Sequence, residues 1–236
     1  MTHRRPIAPD LARSIRVLAT DYDGTLATDG AVDAPTWAAV DRWRSAGRRV
    51  VLVTGREYDE LQAVCPDLRR FDRVVAENGG WLADPAAGTG RALAGPPPAG
   101  FVAALRARGV GPIAVGRVVV ATWEPHGDAA EEVIREWGLP LRVVRNKRAL
   151  MILPAGVDKA SGLRAALADL GPAPGVVVGV GDAENDEPLL DAADLAAAVG
   201  NAQPSLRLRA DWVADADRGA GVAELIAALL AAADVG

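Results

Sequence analysis

The sequence predicts an α/β protein whose core is a doubly wound parallel sheet, with a small α/β domain inserted into it. Apolar runs of strand length alternate with segments of helical period over most of the 236 residues, which is the pattern of a parallel α/β sheet. In the middle of the chain this alternation gives way to extended runs suited to an antiparallel sheet. The alternation then resumes, so the middle stretch is predicted to be an insertion.

Three strands and two helices are predicted before the insertion. The first strand covers residues 15–20 and runs directly into Asp21-Tyr22-Asp23-Gly24-Thr25. A helix follows, because Asp33 and Pro35 suit its start and Gly47 suits its end. The remaining elements are a strand at 50–53 that ends in Thr54-Gly55-Arg56, a helix at 57–64, and a strand at 73–76 that ends in Glu77-Asn78-Gly79-Gly80.

The inserted domain is predicted to cover residues 81–154, which leaves residues 1–80 and 155–236 for the core. Its predicted elements are a hairpin at 81–83 and 91–93, a helix at 100–108, a strand at 113–123, a helix at 127–137, and strands near 141–146 and 149–153. The core then continues with a helix at 158–170 and a strand at 176–180 that ends in Gly181-Asp182-Ala183-Glu184-Asn185-Asp186. A short helix, a strand at 195–199, another short helix, a strand at 212–214 and a helix from about 220 complete it.

The inventory of reactive side chains excludes several kinds of site. The chain has two histidines, His3 and His126, and one cysteine, Cys65. Histidine-rich zinc sites and an internal disulfide are therefore excluded, and a Ser-His-Asp triad would depend on His126 alone. Of the 26 basic residues, only Lys147 and Lys159 are lysines. Catalysis is expected to rely on carboxylates, hydroxyls, amides and a metal ion.

The charge pattern and the apolar segments bear on partners and location. A net charge of −5 with scattered arginines argues against binding to nucleic acid. The basic start is not followed by an apolar stretch of signal-peptide length, and no run approaches the roughly 18 apolar residues of a membrane span. We expect a cytoplasmic monomer or homodimer that does not bind a membrane.

Polar groups at the ends of three predicted strands are expected to meet at one edge of the sheet. In an open parallel sheet, ligands bind outside the carboxyl ends of the strands, near the point where the strand order reverses. A single Asp-x-Asp could be a solvated turn, but three such ends, with a rare lysine before the third, predict a site. The residues are Asp21, Asp23, Thr54, Lys159, Asp182, Asn185 and Asp186.

Two other interpretations of these motifs fail on spacing. A calcium loop that starts at Asp21 needs glycine and glutamate where the chain has Leu26 and Val32. A dinucleotide fingerprint that starts at Gly179 needs a third glycine where the chain has Glu184. Neither a calcium loop nor a dinucleotide site is therefore expected.

The remaining residues suit phosphoryl transfer to water. A phosphate dianion about 4 Å from a carboxylate is repelled by about 8 kcal/mol at an effective dielectric of about 20, so cations must offset this charge. Oxygen ligands without histidine or thiolate favour Mg²⁺, held by the carboxylates of Asp21 and Asp182 and the backbone carbonyl of Asp23. Lys159 supplies a second cation. Asp21 can then attack phosphorus, Asp23 can exchange protons with the leaving group and water, and amides near Gly55 can hold phosphoryl oxygens.

These segments resemble the four motifs of the haloacid dehalogenase superfamily, in the same order. The motifs are matched by Asp21-Tyr22-Asp23-Gly24-Thr25, Thr54-Gly55-Arg56, Lys159 and Gly181-Asp182-x-x-Asn185-Asp186. The insertion between the second and third motifs, with Glu77-Asn78-Gly79 at its start, resembles the Cof-like subfamily with an α/β cap. The resemblance spans about residues 15–229 and implies a Rossmann-like core.

The resemblance also implies roles for individual residues. It implies that Asp21 is the nucleophile and Asp23 the general acid and base. The implied phosphate ligands are Thr54, Gly55, Lys159 and Asn185, and the metal ligands are Asp21, Asp23, Asp182 and Asp186, the last directly or through water. Candidate substrate contacts are Arg56, Asn78, Arg145, Lys147 and Arg148. A second anionic group on the substrate would explain the basic cap residues, and a solvated edge is the alternative.

The predicted activity is that of a Mg²⁺-dependent phosphatase which forms an aspartyl-phosphate intermediate. Its predicted partner is a small phosphorylated metabolite, either a sugar phosphate or a phospho-hydroxy acid such as phosphoglycolate. Two alternatives stay open. A phosphomutase would use the same two aspartates, and a sensor would bind a phosphorylated metabolite without catalysis.

Overall fold

The computed structural model describes residues 6–234, a range that excludes His3. Within this range the strands are β1 (Ile15–Thr20), β2 (Arg49–Val53), β3 (Arg73–Ala76), β4 (Trp81–Asp84), β5 (Thr89–Ala92), β6 (Ala114–Val115), β7 (Val120–Trp123), β8 (Leu141–Asn146), β9 (Ala149–Pro154), β10 (Val176–Gly181), β11 (Leu195–Ala198) and β12 (Trp212–Val213). The α-helices are α1 (Pro9–Ser14), α2 (Ala34–Ser45), α3 (Tyr58–Val64), α4 (Phe101–Ala107), α5 (Gly127–Glu136), α6 (Lys159–Asp169), α7 (Glu187–Asp191), α8 (Pro204–Arg209) and α9 (Arg218–Ala233).

Across the described residues, every helix is too short or too polar to cross a membrane.

Eight strands form one large sheet in the order β12-β11-β10-β1-β2-β3-β4-β5. Neighbouring strands from β12 to β3 are parallel, whereas β4 and β5 are antiparallel to their neighbours. From β1 the chain winds outward to β2 and β3, and from β10 it winds in the opposite direction to β11 and β12. The strand order therefore reverses between β1 and β10, and the doubly wound fold predicted from the sequence is confirmed.

Both faces of the large sheet are buried, which explains why its strands are continuous apolar runs. Leu18 of β1 packs in one cluster with Trp43 of α2 and Leu225 of α9. Its neighbour Val17 packs on the opposite face with Leu163 of α6. All five side chains are fully buried. The sheet is therefore a fixed layer, and the loops that leave its carboxyl edge start from defined positions.

A second sheet, in the order β6-β7-β9-β8, is antiparallel throughout, and α4 and α5 cover one of its faces. This sheet and its two helices are called the cap. The single strand predicted over residues 113–123 is wrong, because the chain turns back after Val115 and forms the β6–β7 hairpin. In this turn the amides of residues 117–119 donate to the carboxylate of Glu77, which lies just after β3. A contact with the core thus breaks a run that looks continuous in the sequence.

The hairpin of β4 and β5 extends the large sheet, because β4 pairs with β3. The sequence groups this hairpin with the insertion at residues 81–154. The division into a core and an inserted domain at those residues stays a prediction, and the pairing favours a boundary after β5.

Candidate active site

Three loops bring predicted site residues to the point where the strand order reverses. Asp21 directly follows β1, and Asp182 directly follows β10, which pairs with β1. Thr54 directly follows β2, which pairs with β1 on the other side. The amide of Asp21 donates to the carbonyl of Val180 at 3.0 Å, so the loops after β1 and β10 leave the sheet side by side.

A cluster of buried carboxylates surrounds one ammonium group at this point. Asp21, Asp182 and Asp186 each offer an oxygen within 4.8 Å of the others, and they are 5%, 2% and 0% exposed. The Nζ of Lys159 donates to Oδ1 of Asp21 and to Oδ1 of Asp186, both at 2.5 Å. Lys159 is fully buried, so protein carboxylates and not water compensate its charge.

Local capping positions Lys159 and orients Asp186. The carboxylate of Asp158 accepts from the amide of Ser161 at 2.8 Å and caps α6, which makes Lys159 the first residue of that helix. Oδ2 of Asp186 accepts from the amides of Asp182 and Ala183 at 2.9 and 3.0 Å. One oxygen of Asp186 therefore orders the loop after β10, while the other holds the lysine.

Burial and neighbouring charges shift the pKa values in this cluster. Burial raises the pKa of Asp21 to about 8 against the opposing charge of Lys159, and the carboxylates of Asp186 and Asp182 add to the rise. Burial also raises the pKa of Asp182, opposed by a hydrogen bond from Lys147. For Lys159, burial lowers the pKa, but Asp186 and Asp21 outweigh it and hold the pKa above its usual range. Asp21 therefore needs a further cation to stay ionised near neutral pH.

The donor set of the cluster fits a divalent cation. Three carboxylates surround one fully buried ammonium group, so the cluster carries surplus negative charge where little water can reach it. All the donors are carboxylate oxygens, which a hard divalent cation prefers. Asp21 and Asp182 would hold such an ion, and an oxygen of Asp186 lies close enough to contribute.

Asp23 does not join this cluster through its carboxylate. Its two oxygens accept from Nε and Nη2 of Arg56 at 2.6 and 2.8 Å, which is a bidentate pair between the first and second motifs. The same guanidinium donates to Glu60 at 2.5 Å. Gly24 has a φ of +85°, and a Cβ there would lie 2.6 Å from an oxygen of Asp182, so glycine lets this loop pass close to the cluster.

The neighbouring wall of the site is formed by four residues, Thr54, Gly55, Asn78 and Asn185. The hydroxyl of Thr54 accepts from the amide of Arg56 at 3.2 Å, and the carbonyl of Thr54 accepts from the amide of Asn78 at 2.9 Å. Nδ2 of Asn185 donates to Oδ1 of Asn78 at 3.3 Å. Two predicted phosphate ligands, Thr54 and Asn185, therefore share one wall with Asn78, a candidate substrate residue.

The second sheet covers this wall. A Cβ on Gly55 would lie 3.1 Å from Sδ of Met151 in β9. Strand pairing puts Ala149 of β9 opposite both Trp123 of β7 and Asn146 of β8, and residues two apart along a strand share a face. Trp123 and Asn146 therefore lie on the same face of the sheet as Met151, the face that α4 and α5 leave uncovered.

The basic residues predicted near the substrate have different positions. Nζ of Lys147 donates to Oδ2 of Asp182 at 2.9 Å, so this cap residue reaches the core cluster. Arg145 instead donates to Glu124 at 3.3 Å and to Glu131 at 3.2 Å, both within the cap. The structure does not bring Arg145 to the site, because its strand position turns the side chain toward α5. Arg148 is exposed at the turn after Lys147.

Two residues that hold the site together have contacts that the sequence did not predict. The fully buried carboxylate of Glu77 accepts from three amides of the β6–β7 turn at 3.0, 2.7 and 3.0 Å. Asn201 donates to the carbonyl of Gly24 at 2.9 Å and accepts from the amide of Arg218 at 2.7 Å, which ties the loop after β1 to α9. The sequence does mark Glu77 as a candidate, because it lies in the motif Glu77-Asn78-Gly79 at the end of a strand. Asn201 lies in no recognisable motif, so the sequence gives no signal for it.

Comparison with known proteins identifies the family. A family model described as haloacid dehalogenase-like hydrolase matches residues 18–89 and 128–226. The chain belongs to the haloacid dehalogenase-like hydrolases. The phosphoglycolate phosphatase of Natronomonas pharaonis is 31% identical to this hydrolase over 232 residues, covering 89% of this chain and 95% of the relative. The resemblance to Cof-like hydrolases is confirmed, and the protein is a phosphatase of this family.

Solved structures share the fold of this haloacid dehalogenase-like hydrolase. A protein described as Thermoplasma acidophilum 0175 matches with a TM-score of 0.76 at 18% identity, covering 92% of this chain and 98% of that one. A sugar phosphatase of haloacid dehalogenase subclass IIB matches with a TM-score of 0.74 at 17% identity, covering 90% and 98%. At these identities the similarity establishes the core and cap architecture.

Proposed function

We propose that this hydrolase releases phosphate from a small phosphorylated metabolite through an aspartyl-phosphate intermediate on Asp21. The observation that carries the proposal is the contact between Asp21 and the buried ammonium of Lys159 at the point where the strand order reverses. A nucleophilic carboxylate must approach a phosphate dianion, and a fixed cation beside it offsets their repulsion.

Asp21 and Asp23 have different roles in the chemical steps. An oxygen of Asp21 attacks phosphorus, and the leaving oxygen departs with a proton from Asp23, which carries that proton on an oxygen released from Arg56. Water then attacks the phosphorus of the aspartyl-phosphate while Asp23 removes its proton, so Asp21 and free phosphate are released. The side chain of Asp23 is 43% exposed and can meet both the leaving group and water. Lys159, the hydroxyl of Thr54 and the amide of Gly55 hold the phosphoryl oxygens.

The metal ion in this proposal is Mg²⁺, held by Asp21 and Asp182 with Asp186 close by. Their carboxylate oxygens form the donor set that this ion prefers. When bound, Mg²⁺ polarises the phosphoryl oxygens and offsets the negative charge that burial concentrates here.

The proposed substrate is a short phospho-hydroxy acid such as phosphoglycolate, with sugar phosphates as the neighbouring class. The cap supports a small substrate, because Met151 lies over Gly55 and limits the space above the site. The relative named phosphoglycolate phosphatase is aligned over 95% of its length, which supports the acid. The structural neighbour described as a sugar phosphatase supports the second class through its fold alone.

The variant Asp21→Asn tests the proposal. An amide cannot act as the nucleophile, so phosphate release from phosphoglycolate should fall by roughly 1,000-fold or more while the circular dichroism spectrum stays that of the wild type. Asp128→Asn, at an exposed position of α5, is the matched control and should keep the activity. Wild-type turnover by Asp21→Asn would contradict the proposal. Release of free phosphate without a bisphosphate activator distinguishes the phosphatase from a mutase.

A further inference from the structure

We propose that Lys147 recognises the substrate: its ammonium group leaves Asp182 and binds the carboxylate of a short phosphorylated acid. This inference rests on the proposed function and adds to it the residue that selects a substrate with a second anionic group.

Lys147 is where the cap reaches the carboxylate cluster of the core. It lies in the turn between β8 and β9, and its Nζ donates to Oδ2 of Asp182 at 2.9 Å. The side chain of Lys147 is 51% exposed, whereas that of Asp182 is 3% exposed. The contact thus joins a cation that a ligand can reach to a carboxylate at the edge of the buried site.

The backbone of this turn does not favour a lysine. Lys147 has a φ of +55°, in the left-handed region where asparagine and glycine are the usual residues of a two-residue hairpin turn. A lysine at this position has a less favourable backbone conformation than asparagine or glycine would have, but its ammonium group reaches Asp182 of the core. Unusual backbone conformations of this kind cluster at ligand-binding positions.

Two neighbouring cations, Arg145 and Lys159, already have other partners. Arg145 pairs with Glu124 and Glu131 inside the cap. Lys159 is fully buried between two carboxylates. Lys147 differs from Arg145 because its partner Asp182 is one of the residues that would hold a metal ion. It differs from Lys159 because its side chain is half exposed and can reach a ligand.

A metal ion on Asp182 would compete directly with Lys147. A divalent cation and an ammonium group on one carboxylate repel each other, so Lys147 then needs another anion. Its flexible four-carbon stem lets the charge move while β8 and β9 stay in place. A substrate carboxylate between cap and core supplies that anion, and phosphoglycolate carries its carboxylate only one methylene from the ester oxygen.

The first experiment measures substrate selectivity. It compares Lys147→Met with Arg106→Met, which removes an exposed cation from α4 on the far face of the cap. The substrates are phosphoglycolate and 2-hydroxyethyl phosphate, in which an uncharged hydroxymethyl group replaces the carboxylate. We expect Lys147→Met to raise the KM for phosphoglycolate about tenfold relative to the KM for 2-hydroxyethyl phosphate. Arg106→Met should leave this ratio within about twofold.

The second experiment measures Mg²⁺ binding by calorimetry without substrate. Lys147→Met should bind Mg²⁺ at least about threefold more tightly than the wild type, because a competing cation is gone from Asp182. Arg106→Met should bind it as the wild type does.

The outcomes separate this inference from the proposed function. An equal rise in KM for both substrates, or unchanged Mg²⁺ affinity in Lys147→Met, would overturn the role of Lys147 and leave the phosphatase function in place. Hydrolysis of 2-hydroxyethyl phosphate but not of phosphoglycolate by the wild type would do the same. If the wild type hydrolyses no phosphomonoester, the proposed function fails and the role of Lys147 falls with it.

Discussion

At the scale of single residues, Lys159 shows why a compact charge is needed in the buried cluster. Its Nζ lies 2.5 Å from an oxygen of Asp21 and 2.5 Å from an oxygen of Asp186, and no part of its side chain reaches solvent. An ammonium group can serve two carboxylates from one point, whereas a guanidinium spreads its donors over a planar fork. Only two of the 26 basic residues are lysines, and the position of Lys159 gives one of them a physical reason.

Substitution of Lys159 should affect activity and stability together. Lys159→Arg and Lys159→Met should both lower phosphate release by roughly 100-fold or more, because neither keeps a point charge beside Asp21. Lys159→Met also leaves two buried carboxylates without their cation, so its free energy of unfolding in EDTA should fall by about 3–5 kcal/mol in urea denaturation. Arg106→Met, at an exposed position, should lose less than about 0.5 kcal/mol. Full activity in Lys159→Arg would show that the compact ammonium is not required.

At the scale of elements, the short segment Glu77–Gly79 of the core makes contacts that hold the cap in place. The carboxylate of Glu77 holds three amides of the β6–β7 turn. Gly79 has a φ of +108°, and a Cβ there would lie 2.0 Å from the carbonyl oxygen of Asp158, where the chain returns to the core. This segment therefore packs against both the outgoing and the returning parts of the chain, and the position of the cap over the site depends on it.

Glu77→Gln should weaken this junction. A carboxamide replaces one accepting oxygen by an NH₂ group that faces backbone amides, so we expect the free energy of unfolding to fall by about 2–3 kcal/mol. Urea denaturation measures the change. Glu136→Gln is the control, because Glu136 pairs with Arg108 at the surface, and it should lose less than about 1 kcal/mol. Similar small losses in both variants would mean that the three amides do not depend on the charge of Glu77.

The elements also show what could be predicted from the sequence. Asp21, Thr54 and Asp182 were predictable, because each follows a buried apolar run and parallel strands end at one edge. The turn after Val115 was not, since its cause is a carboxylate about 40 residues earlier in the chain. The placement of Arg145 was not predictable either, because adjacent strand residues point to opposite faces and the sequence does not show which face meets the core.

At the scale of the whole molecule, the core and the cap each supply a cation to the same acidic site. Lys159 comes from α6 of the core and Lys147 from the cap, and together they face the three carboxylates of the cluster. The two ammonium groups leave one negative charge in excess. The folded arrangement of both parts therefore creates a site that gains stability from a proton or from a divalent cation.

The contribution of Asp21 to the stability of the metal-free protein should fall as the pH rises from about 4 to about 8. Burial raises the pKa of Asp21 from 3.8 to about 8, so the folded protein keeps a proton that the unfolded chain releases. The stability from this proton is complete below about pH 4 and is lost as the pH passes about 8. Because Mg²⁺ takes the place of the proton, the increase in the thermal unfolding midpoint on adding Mg²⁺ to EDTA-treated protein should be larger at pH 8 than at pH 6. Asp21→Asn, which does not titrate, should show a smaller difference between the two pH values, and an equal Mg²⁺ effect at both pH values in the wild type would contradict the prediction.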